Sequence, residues 1–227
     1  MRILCLSLCL LVAPAVFAQG HGEPIDREVV RKLVTDSSAR TWYPRLLARY
    51  AAFDTTLTIG EYRLLYYGFV FQKAYNPYGD DHKPVIFGAM KEKRYPVAIA
   101  SCDSVLADVP VSLVANYYRG LAMYLQGKDN PALMDSGFVG YRDRFVKLQK
   151  AILSTGDGLS CKTAFKTIFV ADEYEIISRY FELDRPSAQS LVYPCDKLDV
   201  NPNAYFKASA IYFDTSESFN AMKDRIK

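Results

Sequence analysis

The sequence predicts a mainly helical α+β fold, with helical hairpins in the first two thirds and a small antiparallel β-sheet near the C-terminus. The first observation is that apolar residues recur at helical spacing on both sides of Pro110, within residues 98–132. The second is a change of composition after Gly158, where residues typical of strands become frequent. In addition, 50% of the residues are hydrophobic and 14% are aromatic, which is typical of a globular chain.

The first 18 residues have the features of a cleaved secretory signal. Arg2 precedes an apolar run at residues 3–12, and small residues lead to Ala18. This run is too short to span a bilayer, and no later stretch is long and apolar enough for a membrane helix. We therefore expect a signal peptide at residues 1–18. Residues 19–227 should form a single domain, with a helical body at about 25–155 and an α/β C-terminal part at about 156–227.

Three helices are predicted before residue 75. Apolar residues at 25–34 and at 42–50 recur at the spacing of amphipathic helices. Thr58 and Glu61 form a capping box that opens a third helix, rich in aromatic residues and central to the core. Residues 76–79 predict a turn, and a further helix follows at about 84–93.

Residues 98–132 predict a helical hairpin. Pro110 ends the first helix, because proline lacks an N–H group and disfavours helical backbone at the preceding residue. Ser112 is a suitable cap for the second helix, and Gly127 is expected to end it. One side of the second helix is predicted to face the first helix, and it carries Leu113, Tyr117, Gly120, Leu121 and Tyr124.

The same residues resemble a tetratricopeptide repeat, which has a period of about 34 residues. One register of that repeat is matched by Ala98, Pro110, Gly120, Gly127 and Ala132. Asn116 and Met123 stand where the repeat family prefers aromatic residues, so the match is partial. An ordinary antiparallel helix pair is the alternative.

The C-terminal third predicts a helix at 141–153, a turn at 154–158 and a short helix at 173–181. Residues 163–170 are also rich in residue types found in strands. Short strands are predicted at 190–193 and 197–200, and the longest strand at 204–213. We expect three of these strands to form an antiparallel sheet that closes one end of the helical body.

Three cysteines remain once the signal is removed, which allows at most one internal disulfide. Cys102 lies on the apolar face of its helix, where it is expected to be buried. Cys161 and Cys195 are the candidate pair, although the sequence does not fix connectivity. Their spacing does not suggest zinc, because neither a Cys-x-x-Cys pattern nor a histidine pair accompanies them.

Few residues suggest a catalytic or metal-binding role. Asp80, Asp81 and His82 lie in one loop and are candidates for metal binding or acid–base catalysis. A solvated turn explains the same residues, and no second cluster of ligands is visible. Residues 156–158 lack the lysine of a phosphate loop, so a tight turn is expected. We therefore predict no catalytic, cofactor or metal residues, and the net charge of +3 gives no reason to expect nucleic-acid binding.

The tyrosines are the candidate ligand-binding residues. Their rings with polar tips suit a sugar or a peptide, although packing in the core is the alternative. The candidates are Tyr62, Tyr66, Tyr67, Tyr75, Tyr78, Tyr117 and Tyr124.

Five stretches resemble one family of exported bacterial proteins, at residues 42–50, 62–68, 75–78, 156–158 and 211–214. This family is domain of unknown function 4919, typical of Bacteroides-like Gram-negative organisms. The resemblance covers nearly the whole mature chain, and it implies export and a single folded unit. It supplies no catalytic residues, cofactor or substrate.

The sequence thus favours a non-catalytic binding or scaffold protein of the periplasm or outer cell surface. Its partner would be an unknown protein, peptide or glycan of the envelope, bound by a helical-repeat-like surface. One alternative is an exported hydrolase that uses Asp80, Asp81, His82 and Asp157, although hydrolase motifs are missing. Another is a structural subunit of an envelope complex.

Overall fold

The computed structural model describes residues 22–78 and 83–226, with side chains described as far as residue 223. The predicted signal peptide and the loop of Asp80, Asp81 and His82 therefore lie outside the described residues. The described part of the chain is mainly helical, and seven α-helices precede residue 154 among the described residues. These are α1 (Arg27–Thr35), α2 (Tyr43–Ala51), α3 (Ile59–Gly68), α4 (Lys83–Lys91), α5 (Tyr95–Asp108), α6 (Leu113–Asp129) and α7 (Phe138–Leu153).

The predicted capping box begins α3. The backbone N–H of Glu61 donates to the Thr58 hydroxyl at 3.2 Å, and the Glu61 carboxylate accepts from the Thr58 N–H at 2.9 Å. Arg49 of α2 also binds the Glu61 carboxylate. One carboxylate therefore caps α3 and joins it to the preceding helix.

The predicted helical hairpin is present as α5 and α6. The first helix ends at Asp108, and the Ser112 hydroxyl caps the second by accepting from the Ala115 N–H at 3.2 Å. Small and apolar side chains fill the contact between them, namely Ala98, Cys102, Val105, Ala115 and Ala122. The prediction that Cys102 is buried is confirmed.

Two details of this hairpin differ from the sequence prediction. Gly120 faces α7 and not α5, since a Cβ atom at that position would lie 3.2 Å from the Cβ of Tyr141. The close contact between α5 and α6 is instead made by alanines, such as Ala98 of α5 and Ala122 of α6. Gly127 does not end α6, which continues to Asp129; it gives Met134 room to pack against the helix.

A small mixed sheet follows α7. Its strands are β1 (Phe165–Lys166), β2 (Ala188–Val192), β3 (Cys195–Asp199) and β4 (Ala210–Asp214), in the order β1-β4-β3-β2. The pairs β2–β3 and β3–β4 are antiparallel, as predicted, whereas β1 adds a fourth strand parallel to β4.

Two further helices belong to the C-terminal part. Helix α8 (Val170–Glu175) continues as a π-helical turn at Ile176–Tyr180, and α9 (Ser216–Ile226) follows β4. The predicted strand at 204–213 was too long, because β4 begins only at Ala210. The residues before β4 form a turn instead. The side-chain oxygen of Asn203 stabilises this turn by accepting hydrogen bonds from the backbone N–H groups of Tyr205 and Phe206.

One hydrophobic core connects the helices to the sheet. It includes fully buried residues from α2, α3, α7 and β4, represented by Leu46, Leu65, Leu148 and Phe213. The first and last described helices also meet, since Arg27 Nε lies 2.9 Å from Glu217 Oε2.

Cys161 and Cys195 form a disulfide, which confirms the candidate pair. The bond joins a short 3₁₀ turn (Cys161–Thr163) to the buried start of β3. Across residues 22–78 and 83–226, no helix is both long and apolar enough to cross a membrane.

Candidate binding groove

An exposed apolar groove runs between α6 and α7. One wall carries Tyr117, Gly120, Leu121 and Tyr124, and the other carries Phe138, Arg142, Phe145 and Val146. Residues three, four and seven positions apart share one face of a helix, so each wall is one continuous stripe. The groove has a volume of about 360 Å³. We call this surface the α6–α7 groove.

The groove exists because α6 and α7 approach closely at its base. A Cβ atom on Gly120 would lie 3.3 Å from the backbone oxygen of Phe138. The absence of a side chain there lets the helix backbones come together, while the larger residues on either side form the walls.

Aromatic rings line the length of the groove. The ring centroids of Tyr117 and Phe145 are 5.0 Å apart, and those of Tyr124 and Phe138 are 5.4 Å apart. These distances are typical of packed aromatic pairs. Tyr124 and Val146 nevertheless remain 40% and 38% exposed, so the groove presents apolar surface to solvent.

Two arginines lie at the edge of the groove, and each also pairs with a neighbouring carboxylate. The pairs are Arg142 with Asp143 at 3.0 Å and Arg179 with Glu175 at 3.8 Å. Arg142 lines it, and the guanidinium of Arg179 lies 4.5 Å from the ring centroid of Tyr117. Arg179 also donates to the hydroxyl of Tyr118 at 2.7 Å, which holds it beside the groove. Burial raises the pKa of Tyr118, so this hydroxyl stays protonated at neutral pH.

The structure brings only two of the seven candidate tyrosines, Tyr117 and Tyr124, into this groove. Tyr62, Tyr66 and Tyr67 are buried in the core, where a ligand at the surface does not reach them. Burial raises the pKa of Tyr62 to about 12.

Buried tyrosine hydroxyls instead bind the segment that leads from β1 into α8. Tyr66 donates to Asp172 at 2.6 Å and accepts from the Ile168 N–H at 3.2 Å, while Tyr67 donates to the Lys166 carbonyl. Half-buried Tyr75 donates to the Ile168 carbonyl at 2.7 Å. These three residues therefore attach the helices to the C-terminal part.

Tyr78 is exposed and lines a different pocket, of about 270 Å³. That pocket lies between α5 and α8, and its other lining residues include Val105, Val109, Val170 and Asp172. Tyr78 therefore does not share a site with Tyr117 and Tyr124.

Among the described residues, the carboxylates that are candidates for a catalytic or metal-binding role lie apart from one another. Asp157 accepts from the Leu159 N–H at 2.9 Å and so stabilises the expected tight turn. Glu173 is fully buried, and burial together with nearby Asp196 and Asp172 raises the pKa of its carboxyl well above the usual value. Within the described part of the chain, no group of three or more histidine, cysteine or carboxylate residues is placed to hold a metal ion.

The wall formed by α7 was not identified from the sequence. Its helix was predicted to begin at Tyr141, whereas it begins at Phe138. The apolar residues Phe138, Phe145 and Val146 recur at helical spacing, which is the signal that could have revealed this wall.

The family model for domain of unknown function 4919 (DUF4919) matches residues 28–224. The chain belongs to this family. No curated protein and no solved structure matches the chain significantly. The DUF4919 description assigns no activity, and the function is therefore inferred from the surface of the molecule.

Proposed function

We propose that this DUF4919 protein is an exported, non-catalytic binding protein that holds an amphipathic helix of a partner protein in the α6–α7 groove. The observation that carries this proposal is the exposed apolar groove between two helices. Apolar surface of this kind on a folded protein commonly marks an interaction site.

The shape of the groove favours a helical occupant. A third helix packs between two neighbouring helices when its apolar side chains, three and four positions apart, enter the space between their ridges. Peptide helices bind to protein grooves in the same way, through anchors at positions i, i+3, i+4 and i+7. Helical-repeat proteins bind partners on extended concave surfaces, so the repeat-like interpretation of α5 and α6 supports a protein partner.

The charges at the edge of the groove favour a partner helix with acidic residues. Arg142 and Arg179 both lie beside the aromatic wall. A guanidinium group binds carboxylates with two parallel hydrogen bonds, which fixes orientation as well as adding affinity. We therefore infer that carboxylates flank the apolar stripe of the partner.

Export is part of the same proposal. The features of residues 1–18 are those of a secretory signal. The bond between Cys161 and Cys195 is consistent with export, because disulfides persist mainly in oxidising compartments. A periplasmic or cell-surface location in a Gram-negative bacterium fits both features.

The test begins with a displayed library of helical peptides selected against the purified protein. Enriched peptides should carry apolar residues at helical spacing flanked by Asp or Glu, and fluorescence anisotropy then measures their affinity. Val146→Asp should weaken binding by at least about tenfold, because a charge would enter the apolar groove.

Val97 provides a matched control, since it is also a helical valine that is 38% exposed. It lies on α5, outside the α6–α7 groove, so Val97→Asp should leave the affinity unchanged. Selected peptides that bind both variants like the original protein would refute the proposed groove. Circular dichroism would confirm that both variants are folded.

A further inference from the structure

We propose a second binding site, for a neutral saccharide, in a pocket beside the sheet. This site is independent of the α6–α7 groove. The pocket has a volume of about 390 Å³ and lies between the turn after α7, the end of the π-helical turn and the loop before β4. Its main lining residues are Asp157, Tyr180, Phe181, Tyr205, Phe206 and Lys207. We call it the Tyr180–Tyr205 pocket.

Packed aromatic rings form the floor of this pocket. The rings of Phe181 and Phe206 have centroids 4.9 Å apart, and the rings of Phe165 and Phe181 have centroids 5.9 Å apart. All three side chains are buried in the core. Gly158 has a φ of +72°, and a Cβ atom there would lie 2.4 Å from the ring of Phe165. The floor therefore depends on glycine at this turn.

Asn203 fixes the wall that carries Tyr205. Its side-chain amide donates to the backbone oxygens of Phe181 and Glu182, at 2.7 and 3.0 Å. Its side-chain oxygen accepts from the N–H groups of Tyr205 and Phe206, at 2.8 and 2.9 Å. One side chain thus ties the two sides of the pocket together and holds Tyr205 in place.

The two tyrosines of the pocket expose their side chains to solvent. Tyr205 is 63% exposed and Tyr180 is 50% exposed. The ring of Tyr180 packs at 4.8 Å against Phe181 of the floor. Holding large rings at the surface leaves apolar area in water, which favours a ligand that covers it.

Polar groups around these rings remain available for a ligand. Asp157 uses one carboxylate oxygen to accept from the Leu159 N–H, which leaves its second oxygen. Among the described residues, the hydroxyls of Tyr180 and Tyr205 and the amino group of Lys207 make no hydrogen bond or ion pair. The pocket therefore offers both donors and acceptors beside its rings.

This combination matches the chemistry of a sugar ring. A pyranose has an apolar face of C–H groups that can cover a tyrosine ring, and a rim of hydroxyls that both donate and accept. Asp157 and Lys207 contribute opposite charges at the same pocket, so neither sign of ligand charge is favoured. We therefore infer a neutral saccharide and not an anionic one.

The test uses isothermal titration calorimetry and saturation-transfer NMR on the full chain. The probes are four neutral hexasaccharides, built from α-linked glucose, β-linked glucose, β-linked mannose or N-acetylglucosamine. At least one should bind, with NMR contacts to its ring protons. Tyr205→Ala and Tyr180→Ala should each weaken that binding by about tenfold, because each removes a stacking surface.

Tyr124→Ala is the matched control, because it removes another exposed tyrosine that lines the α6–α7 groove. Tyr124→Ala should weaken peptide binding and leave saccharide binding unchanged. Tyr205→Ala should weaken saccharide binding and leave peptide binding unchanged. The inference is overturned if none of the four saccharides binds, or if one binds equally well to both pocket variants. Either result would leave the proposal for the groove standing.

Discussion

Removing the Cys161–Cys195 disulfide should lower the stability of the protein by about 5 kcal/mol in total. The cysteines are 34 residues apart in the sequence. In the chain-entropy model, a cross-link over a loop of this length lowers the entropy of the unfolded state by about 13 cal/mol/K. This corresponds to about 3.8 kcal/mol at 25 °C. The replacement is the double variant Cys161→Ala, Cys195→Ala.

Burial of one partner adds to this figure. Cys195 is only 1% exposed, so the alanine there leaves a small space in the core, at a cost of about 1 kcal/mol. Urea unfolding followed by circular dichroism measures the total. For a slope of about 2 kcal/mol/M, the total of about 5 kcal/mol should lower the unfolding midpoint by about 2.4 M.

A reducing agent provides the control. It should destabilise the original protein to nearly the stability of the double variant, while leaving the variant unchanged. If the unfolding midpoint of the variant falls by less than about 0.5 M, the disulfide does not stabilise this protein by restricting its unfolded chain. If the reductant lowers the unfolding midpoints of the original protein and the variant equally, it acts on something other than this disulfide.

Three further predictions concern the core. Tyr66→Phe should cost about 1–3 kcal/mol in unfolding free energy, because it leaves the buried N–H of Ile168 without its acceptor. Gly127→Ala should lower stability by about 1–3 kcal/mol, because the new Cβ atom would lie 2.7 Å from the Cα of Met134. Glu173→Gln should raise the melting temperature at neutral pH and have little effect near pH 4. The pKa of the Glu173 carboxyl is raised in the folded state, so its ionisation opposes folding as pH rises above about 4.5.

Each of these predictions has a matched comparison. Tyr78 is 59% exposed, so Tyr78→Phe should change stability by less than about 0.5 kcal/mol. Gly88 has open space around its missing Cβ, so Gly88→Ala should stabilise its helix by up to about 1 kcal/mol. For Glu173→Gln, melting scans from pH 4 to pH 8 give the answer; equal shifts across that range would contradict a role for ionisation.

Local signals in the sequence predicted local structure well. The capping box of Thr58 and Glu61 and the cap at Ser112 were identified correctly, because the donor and the acceptor are three residues apart. Pro110 similarly ends α5 near the expected position. In each case the residues that decide the structure are neighbours in the chain.

Long-range packing was predicted less well. Periodicity placed Gly120 on one face of α6, but it does not say whether that face meets α5 or α7. Tyrosine suits both a core and a binding surface, and the partners that bury Tyr66 lie about a hundred residues away, at Ile168 and Asp172. The turn at Asn203 shortened the last strand through bonds to Phe181 and Glu182, which sequence alternation does not reveal.

The contact between Arg27 and Glu217 has a consequence for how the chain folds. These residues are separated by 190 positions, so bringing them together first would carry a large loss of chain entropy. The contacts among α5, α6 and α7 span far shorter loops and are expected to form earlier. Pairing of β1 with β4 then shortens the loop between α1 and α9. The Arg27–Glu217 ion pair is therefore expected to form last. A fluorophore pair on α1 and α9 would therefore report the final stage of folding.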